Sequence, residues 1–373
     1  MRGAGSRAVI DLDAYAHNLM VVRNLIPRST RILAVVKANA YGHGAVAVAR
    51  RAVAEGVAML GVATVEEALE LRRADIEAPI VVLLQPPPAS LAAAIEHDLR
   101  LTVSDIYSSE RIGDLARRAG KVAPIHCKVD SGMGRQGFGM SEAVDGLLFL
   151  TRISHIDIEA VWTHFPIAET AKDPFTANQT KQFKQLLRKI EKEGIPFEMA
   201  HAANSAAIVN FPAAAFDMVR PGLMTYGVWP CEQPPEDVRL EPVLRWETQI
   251  VLIKELSAGA TVGYGRTYKA GQTMRTAVLP VGYADGYKYG LSNKGEAVIH
   301  GKRCPIRGNI SMDQIVVDVT HLPEASLGDT ATLVGEDGGE RITVEEVAHK
   351  AGTIPYDILT GIGRRVARVY RNE

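Results

Sequence analysis

The stretch "ILAVVKANAYGHGA", residues 32–45, joins two patterns. Ile32 to Val36 form a continuous apolar run of the kind required by a strand buried on both faces, and Lys37 stands where that strand should end. Small residues, Tyr41, His43 and two glycines follow. Seven similar runs recur before residue 222: "VAMLGVA" (57–63), "PIVVLL" (79–84), "LRLTVS" (99–104), "PIHCKVD" (124–130), "IEAVWTHF" (158–165), "FEMAHAA" (197–203) and "FDMVRPG" (216–222). Segments of helical periodicity separate them, as in parallel strands joined by crossover helices. Eight such units match an α/β fold of the (β/α)8 TIM-type barrel class, although periodicity alone also permits an open doubly wound sheet.

Two of the intervening helices carry end signals. "TVEEALELRRA" (64–74) places Thr64 as N-cap with Glu67 three residues on as its capping-box partner, and "TANQTKQFKQLLRKIEKEG" (176–194) closes at Gly194. After Pro230 the pattern changes. "WPCEQPPEDVRLEP" (229–242) is a proline-rich acidic connector, followed by alternating runs and glycine-centred turns, among them "VLRWETQIVLIKEL", "TMRTAVLPVGY", "EAVIHG", "QIVVDVT" and "DTATLVGE". We therefore divide the chain into a barrel domain, 1–238, and a smaller, mainly β domain, 239–373.

At 373 residues the chain exceeds the usual single-core size, in agreement with two domains. An apolar content of 47%, a charged content of 23% and a net charge of -1 give no electrostatic reason to expect nucleic acid or a membrane surface. The opening "MRGAGSRAVIDLDAY" has no apolar core of signal-peptide length and no run is long enough to span a bilayer, so a cytoplasmic location is expected. Cys127, Cys231 and Cys304 are widely spaced, without a CxxC pair or clustered histidines, and are read as reduced thiols with no metal site.

A barrel carries its chemistry at the C-terminal ends of its strands. Lys37 ends the first run, Lys128 and Asp130 the fifth with Arg135 just beyond, and His164 the sixth. His201, Asn204 and Ser205 follow the seventh, and Arg220 ends the eighth. Singly, such a lysine is ordinarily a solvated cap, such a histidine a hydrogen-bonded core residue and such an arginine half of an ion pair. Their coincidence on one rim argues otherwise. A desolvated lysine among other cations loses its proton readily and becomes a nucleophile able to hold a carbonyl compound covalently.

"AVVKANAYGHGA" resembles the pyridoxal-phosphate motif of the alanine racemases. "KVDSGMGRQGF", "WTHF", "HAANSAA", "VRPGLMTYGV", "VGYGRTY", "LPVGYADGY", "GNISMDQ" and "PYDILTGIGRRVARVY" resemble that family's other motifs in the same order, over residues 8 to 371. The resemblance implies interconversion of L-alanine and D-alanine with pyridoxal 5'-phosphate carried on Lys37, supplying D-alanine for peptidoglycan. It also implies a homodimer in which Tyr264 reaches the partner subunit's site as the base opposite Lys37. His164 is implied as the tyrosine's hydrogen-bond partner and Arg220 as donor to the pyridine nitrogen. Tyr41, Ser205, Gly222 and Tyr356 are implied at the phosphate, and Arg135 near the cofactor and the substrate carboxylate. Lys128 matches a lysine that is often carbamylated, Met312 and Asp313 match the substrate-carboxylate loop, and Tyr283 the mouth of the site. The chain departs from the family in lacking the usual tryptophan before "IDLDA", in reading "RRVARVY" where a proline is common, and in having Ser311 where a cysteine is frequent. The alternative within enzymes is a racemase of the same fold with broad specificity or acting on serine or lysine, whereas a non-catalytic pyridoxal-phosphate-binding regulatory barrel would lack the β domain with Tyr264 and Met312.

Overall fold

The computed structural model describes residues 5–231 and 234–372. The first four residues of the opening, Glu232 and Gln233 of the connector, and Glu373 lie outside the described residues. The chain forms two compact units, one of residues 16–40 and 45–240, the other of the N-terminal segment through Tyr15, Tyr41–Gly44 and the chain from Glu241 on.

The first unit is a closed barrel of eight parallel strands, Arg31–Val35, Met59–Val62, Ile80–Val82, Arg100–Val103, Ala123–Asp130, Ile156–Trp162, Met199–Asn204 and Met218–Arg220. Each pairs with the next, and Met218 opposite Arg31 closes the ring. Closure removes the unpaired edges that an open sheet would present, and burial on both faces explains why the strands read as continuous apolar runs. All eight sequence runs overlap a barrel strand, so the barrel is the correct choice over the open sheet.

The helix read over 64–74 is Val65–Arg73, capped by Thr64, whose hydroxyl accepts from the Glu67 amide at 3.3 Å. The Glu67 carboxylate does not complete the expected box at Thr64. One oxygen accepts from the Ala63 amide, the other from the Ala38 amide, both at 2.7 Å. The long helix is Pro174–Lys192, with Asp173 accepting from the Phe175 amide at 2.8 Å and Gly194 just past its end at φ +70°.

The second unit is mainly β. One sheet runs Lys302–Pro305, Glu296–Ile299, Thr330–Asp337, Leu244–Gln249, Ser6–Asp11 and Ala367–Arg371 in spatial order. A separate sheet runs Leu252–Leu256, Met274–Leu279 and Ile315–Asp318. The run read as "VLRWETQIVLIKEL" thus splits between two sheets. Ser6–Asp11 is placed differently from the division at residue 238: it lies antiparallel to Leu244–Gln249 and parallel to Ala367–Arg371, with the Trp246 indole donating to Ser6 Oγ at 2.7 Å. Local periodicity carries no information about partners so distant in sequence. Among the described residues no helix is long and apolar enough to cross a membrane, and no group of histidine, cysteine and carboxylate side chains is arranged to hold a metal ion.

Candidate active site

The first barrel strand ends at Val35; the Val36 amide still donates to the Gly61 carbonyl of the neighbouring strand, and the chain then winds left-handed. Ala38, Asn39, Ala40 and Tyr41 have φ of 52°, 54°, 51° and 52°. A left-handed turn costs a non-glycine residue about 1–2 kcal/mol, so compensating contacts are needed. Glu67 accepts from the Ala38 amide, the Val36 carbonyl from the Ala40 amide at 2.8 Å, and the Asn39 side chain from the Ala45 amide at 2.8 Å. At Gly42, φ is +83° and a Cβ would stand 2.2 Å from the Leu359 carbonyl oxygen, so only glycine fits. His43 Nδ1 donates to the Tyr41 carbonyl at 2.9 Å.

Lys37, at the head of this turn, is half-buried. Burial first, then the Arg135 guanidinium, then that of Arg220, pull its ammonium below the usual lysine range, while the Glu67 carboxylate opposes them.

Arg220 is buried at the end of the eighth strand. Its Nη1 lies 2.8 Å from His201 Nδ1, and its Nη2 donates to the carbonyls of Thr163 and Ala202, both at 2.9 Å, and lies 3.1 Å from His164 Nδ1. These bonds anchor the Nη edge of the guanidinium and leave Nε–H without a partner among the described residues. Because a guanidinium only donates, His164 Nδ1 accepts and its remaining proton sits on Nε2. Burial, then Arg220, Lys128, Lys37 and Arg135, push the His164 pKa well down, so the ring is neutral. Burial lowers that of Arg220 to about 9, which leaves it protonated at neutral pH.

Lys128 is only 1% exposed and its Nζ makes no hydrogen bond among the described residues. Its ammonium stands 4.6 Å from the Trp162 ring centre; Arg220 lies 4.7 Å from that centre and the His201 ring stacks on the indole at 5.5 Å. Burial, then Arg135 and Arg220, lower the Lys128 pKa to about 8. Beyond it, the Asp130 carboxylate accepts the amides of Gly132, Met133, Gly134 and Arg135 at 2.8–3.1 Å. Burial opposes ionisation of Asp130, but the four amides prevail and hold its pKa low, and they shape the turn that presents the exposed Arg135.

The Ser205 hydroxyl accepts the Gly222 amide at 2.8 Å and that of Met224 at 3.4 Å. Gly222 is followed by a 3-10 turn, Leu223–Tyr226, whose first amides have no partner within the turn.

The remaining residues lie in the second unit. Tyr356 packs on Tyr41 with ring centres 5.9 Å apart, and burial, then Tyr356, raise the Tyr41 phenol's pKa. Tyr264 opens a 3-10 turn, Tyr264–Arg266, its carbonyl accepting from Asn309 Nδ2 at 3.0 Å, and its side chain is 76% exposed. Ser311 and Met312 offer carbonyls to the amides of Tyr283 and Ala284 at 3.1 and 3.0 Å, which brings exposed Tyr283 and Met312 together. A Cβ on Gly282 would stand 2.3 Å from both carbonyls, so glycine permits this approach. Asp313, expected at the substrate carboxylate, is paired with Arg365 at 2.8 Å, and Arg365 also reaches the buried Asp285 at 3.1 Å.

Sequence models of the alanine racemase N-terminal and C-terminal domains match residues 10–230 and 243–370. The chain is 41% identical to alanine racemase of Halothermothrix orenii over 366 residues, covering 98% of this chain and 97% of that protein. The chain belongs to the alanine racemase family. Among solved alanine racemases, that of Streptomyces coelicolor superposes with a TM-score of 0.94 at 36% identity, covering 99% of both chains. That of Bartonella henselae, with covalently bound pyridoxal phosphate, superposes with a TM-score of 0.89 at 30% identity, covering 99% of this chain and 100% of its own.

The family motifs located Lys37, His164 and Arg220 but not all the side chains that hold them. Trp162 was visible only as one apolar letter of "WTHF", and Glu67 only as a helix cap. His201, expected to follow the seventh strand, lies within it, fully buried, against His126 of the fifth. A histidine in each of two apolar runs was the available signal, but strand register was needed to pair them.

Proposed function

We propose that this chain interconverts L- and D-alanine by moving the α-proton between Lys37 on one face and Tyr264 of a second copy of the chain on the other. The observation carrying this reading is the arrangement around Arg220: a half-buried lysine made acidic by burial and by Arg135 and Arg220, with an arginine Nε–H left free to donate. The residues fit pyridoxal phosphate. Lys37 would hold it covalently, Arg220 Nε–H would donate to its pyridine nitrogen, and Ser205, the amides around Gly222, Tyr41 and Tyr356 would receive its phosphate. When bound, the group withdraws electron density from the α-carbon of an amino acid, so that the α-proton becomes removable near neutral pH.

The chain's own groups perform the rest. The Lys37 amine, disposed to lose its proton, accepts or returns the proton on its face of the α-carbon. His164, neutral with its proton on Nε2, donates a hydrogen bond to the Tyr264 oxygen and stabilises its anion, in a setting made cationic by Arg220. Arg220, protonated at neutral pH, would hydrogen-bond the ring nitrogen without yielding it a proton, which favours prompt return of a proton to carbon. Arg135 and the Met312 amide of the second copy hold the substrate carboxylate, while Asp313, engaged by Arg365, keeps the Met312 loop in place. Tyr283 lines the mouth. Lys128, buried without an acceptor, becomes an anion on carbamylation and pairs with Arg135. The exposed Tyr264, Tyr283 and Met312 support a homodimer in which a second copy covers them.

The proposed role is supply of D-alanine for peptidoglycan from the cytoplasm. The test is racemisation of L-alanine by the purified protein with and without added pyridoxal phosphate, beside a panel of other L-amino acids. Cofactor-dependent formation of D-alanine, faster than racemisation of serine or lysine, is expected. No product, or a preference for either alternative, removes the assignment.

A further inference from the structure

Inside the barrel, away from Lys37, lies a line of polar side chains that the proposed reaction does not use. His126 and His201 are fully buried and Glu159 nearly so. Arg220 Nη1 lies 2.8 Å from His201 Nδ1, His201 Nε2 lies 3.1 Å from His126 Nδ1, and His126 Nε2 lies 2.8 Å from Glu159 Oε2. Arg100 Nε stands 3.4 Å from the same carboxylate oxygen.

The two ends of this line determine where every proton sits. A guanidinium has donors only, so His201 Nδ1 must present a lone pair. A neutral His201 then carries its proton on Nε2 and donates it to His126 Nδ1. His126 in turn carries its proton on Nε2, facing an acceptor-only carboxylate. Neutrality follows from the surroundings: burial first, then for His201 the charges of Arg220, His126 and Arg31, push its pKa well down. For His126, burial outweighs the opposing pull of Glu159. Burial also opposes ionisation of Glu159, but the bond from His126 and the nearby Arg100 hold it as an anion. The His201 ring is further fixed by stacking on Trp162, at an interplanar angle of 14°.

We propose that His201, His126 and Glu159 form a hydrogen-bonded chain of fixed tautomers whose task is to hold the Arg220 guanidinium by its Nη edge, so that Nε–H alone faces the cofactor. This rests on the reading that Arg220 faces the pyridine nitrogen. His126 and Glu159 are positioning residues, acting on the reaction only through His201 and Arg220. Without an acceptor at His126, the His201 proton is free to move to Nδ1, where it opposes the donors of Arg220. The guanidinium then loses one of its anchors, although no group touching cofactor or substrate has changed.

Solid-state 15N spectra of the purified protein labelled at histidine test the chain directly, with the two rings assigned by difference against His126→Asn and His201→Asn. Both should be neutral with the proton on Nε2, and should remain so from pH ~6 to ~9, across the range in which an unperturbed histidine titrates. An Nδ1–H or doubly protonated signal from either ring overturns the proposal. This readout is independent of activity, so failure of the racemase assignment would be seen separately, as absence of alanine turnover in the wild-type protein. A second arm uses Glu159→Leu, which removes the acceptor, and Glu159→Gln, which keeps a carbonyl oxygen for His126. Glu159→Leu should lower kcat about 10–100-fold, the range typical when groups supporting a functional residue are lost, with KM for alanine changed far less. Glu159→Gln should regain most of that loss. Undiminished kcat in Glu159→Leu, or no recovery in Glu159→Gln, overturns it.

Discussion

Lys128 is a lysine whose burial has a measurable thermodynamic signature. Its pKa is about 8 in the folded protein, below the ordinary value of 10.5, so between those pH values the unfolded chain binds more protons than the folded one. Stability contributed by this residue is therefore least below about pH 8 and rises toward 10.5, the reverse of a lysine that gains an ion pair. Lys128→Met should abolish that rise and stabilise the protein at pH 7 by about 1–3 kcal/mol in bicarbonate-free buffer, by removing a buried donor with no acceptor. Urea titrations of both proteins across this pH range measure it, and an unchanged pH slope would contradict the assignment. Bicarbonate should restore stability to the wild type alone, if Lys128 takes up a carbamate. Also at this scale, Tyr264→Phe removes one base and leaves Lys37. Exchange of the α-proton with heavy water should fall by about 10²–10⁴ for one alanine enantiomer and much less for the other. Equal losses would argue against bases on opposite faces.

At the scale of single elements, the left-handed turn Ala38–Tyr41 shows how the site is held in a conformation its residues would not choose. Alanine at φ near +50° has no intrinsic preference for that region, so the turn depends on acceptors from elsewhere, chiefly Glu67 and Asn39. Glu67 joins two elements: its helix start through Ala63 and the Lys37 turn through Ala38. Glu67→Ala leaves both amides without that acceptor and removes the carboxylate that opposes deprotonation of Lys37. We expect about 1–3 kcal/mol lower stability by chemical denaturation, and looser retention of pyridoxal phosphate during dialysis. Retention equal to the wild type would show that the turn holds without it.

At the scale of the whole molecule, the prediction concerns two copies of the chain. Lys37 belongs to the barrel unit and Tyr264 to the β unit; the proposal that each site takes them from different copies is tested by complementation between protomers. Neither Lys37→Ala nor Tyr264→Phe alone should racemise alanine at an appreciable rate. After dissociation and reassociation of an equal mixture, sites that combine both intact residues should return, giving roughly a quarter of wild-type activity if chains exchange at random. No recovery despite confirmed exchange of subunits would place both residues of each site on one chain.

The barrel was legible in the sequence because each strand buried on both faces must be apolar throughout, a requirement that leaves a local trace eight times over. The β content of the second unit and the order of the family motifs were legible too, and with them Lys37, Arg220 and His164. What only the tertiary structure decided depends on partners remote in sequence. Ser6–Asp11 pairs with strands from the far end of the chain, so periodicity assigned it to the neighbouring barrel. Glu67 reads as a cap from its spacing to Thr64, yet its second oxygen is claimed by Ala38, twenty-nine positions earlier. His126 and His201 are single letters in two apolar runs until register sets their nitrogens 3.1 Å apart. Apolar periodicity is set by the burial of each residue on its own, whereas hydrogen-bond direction, tautomer and a buried amine's lost proton are set by which groups folding brings within about 3 Å of one another.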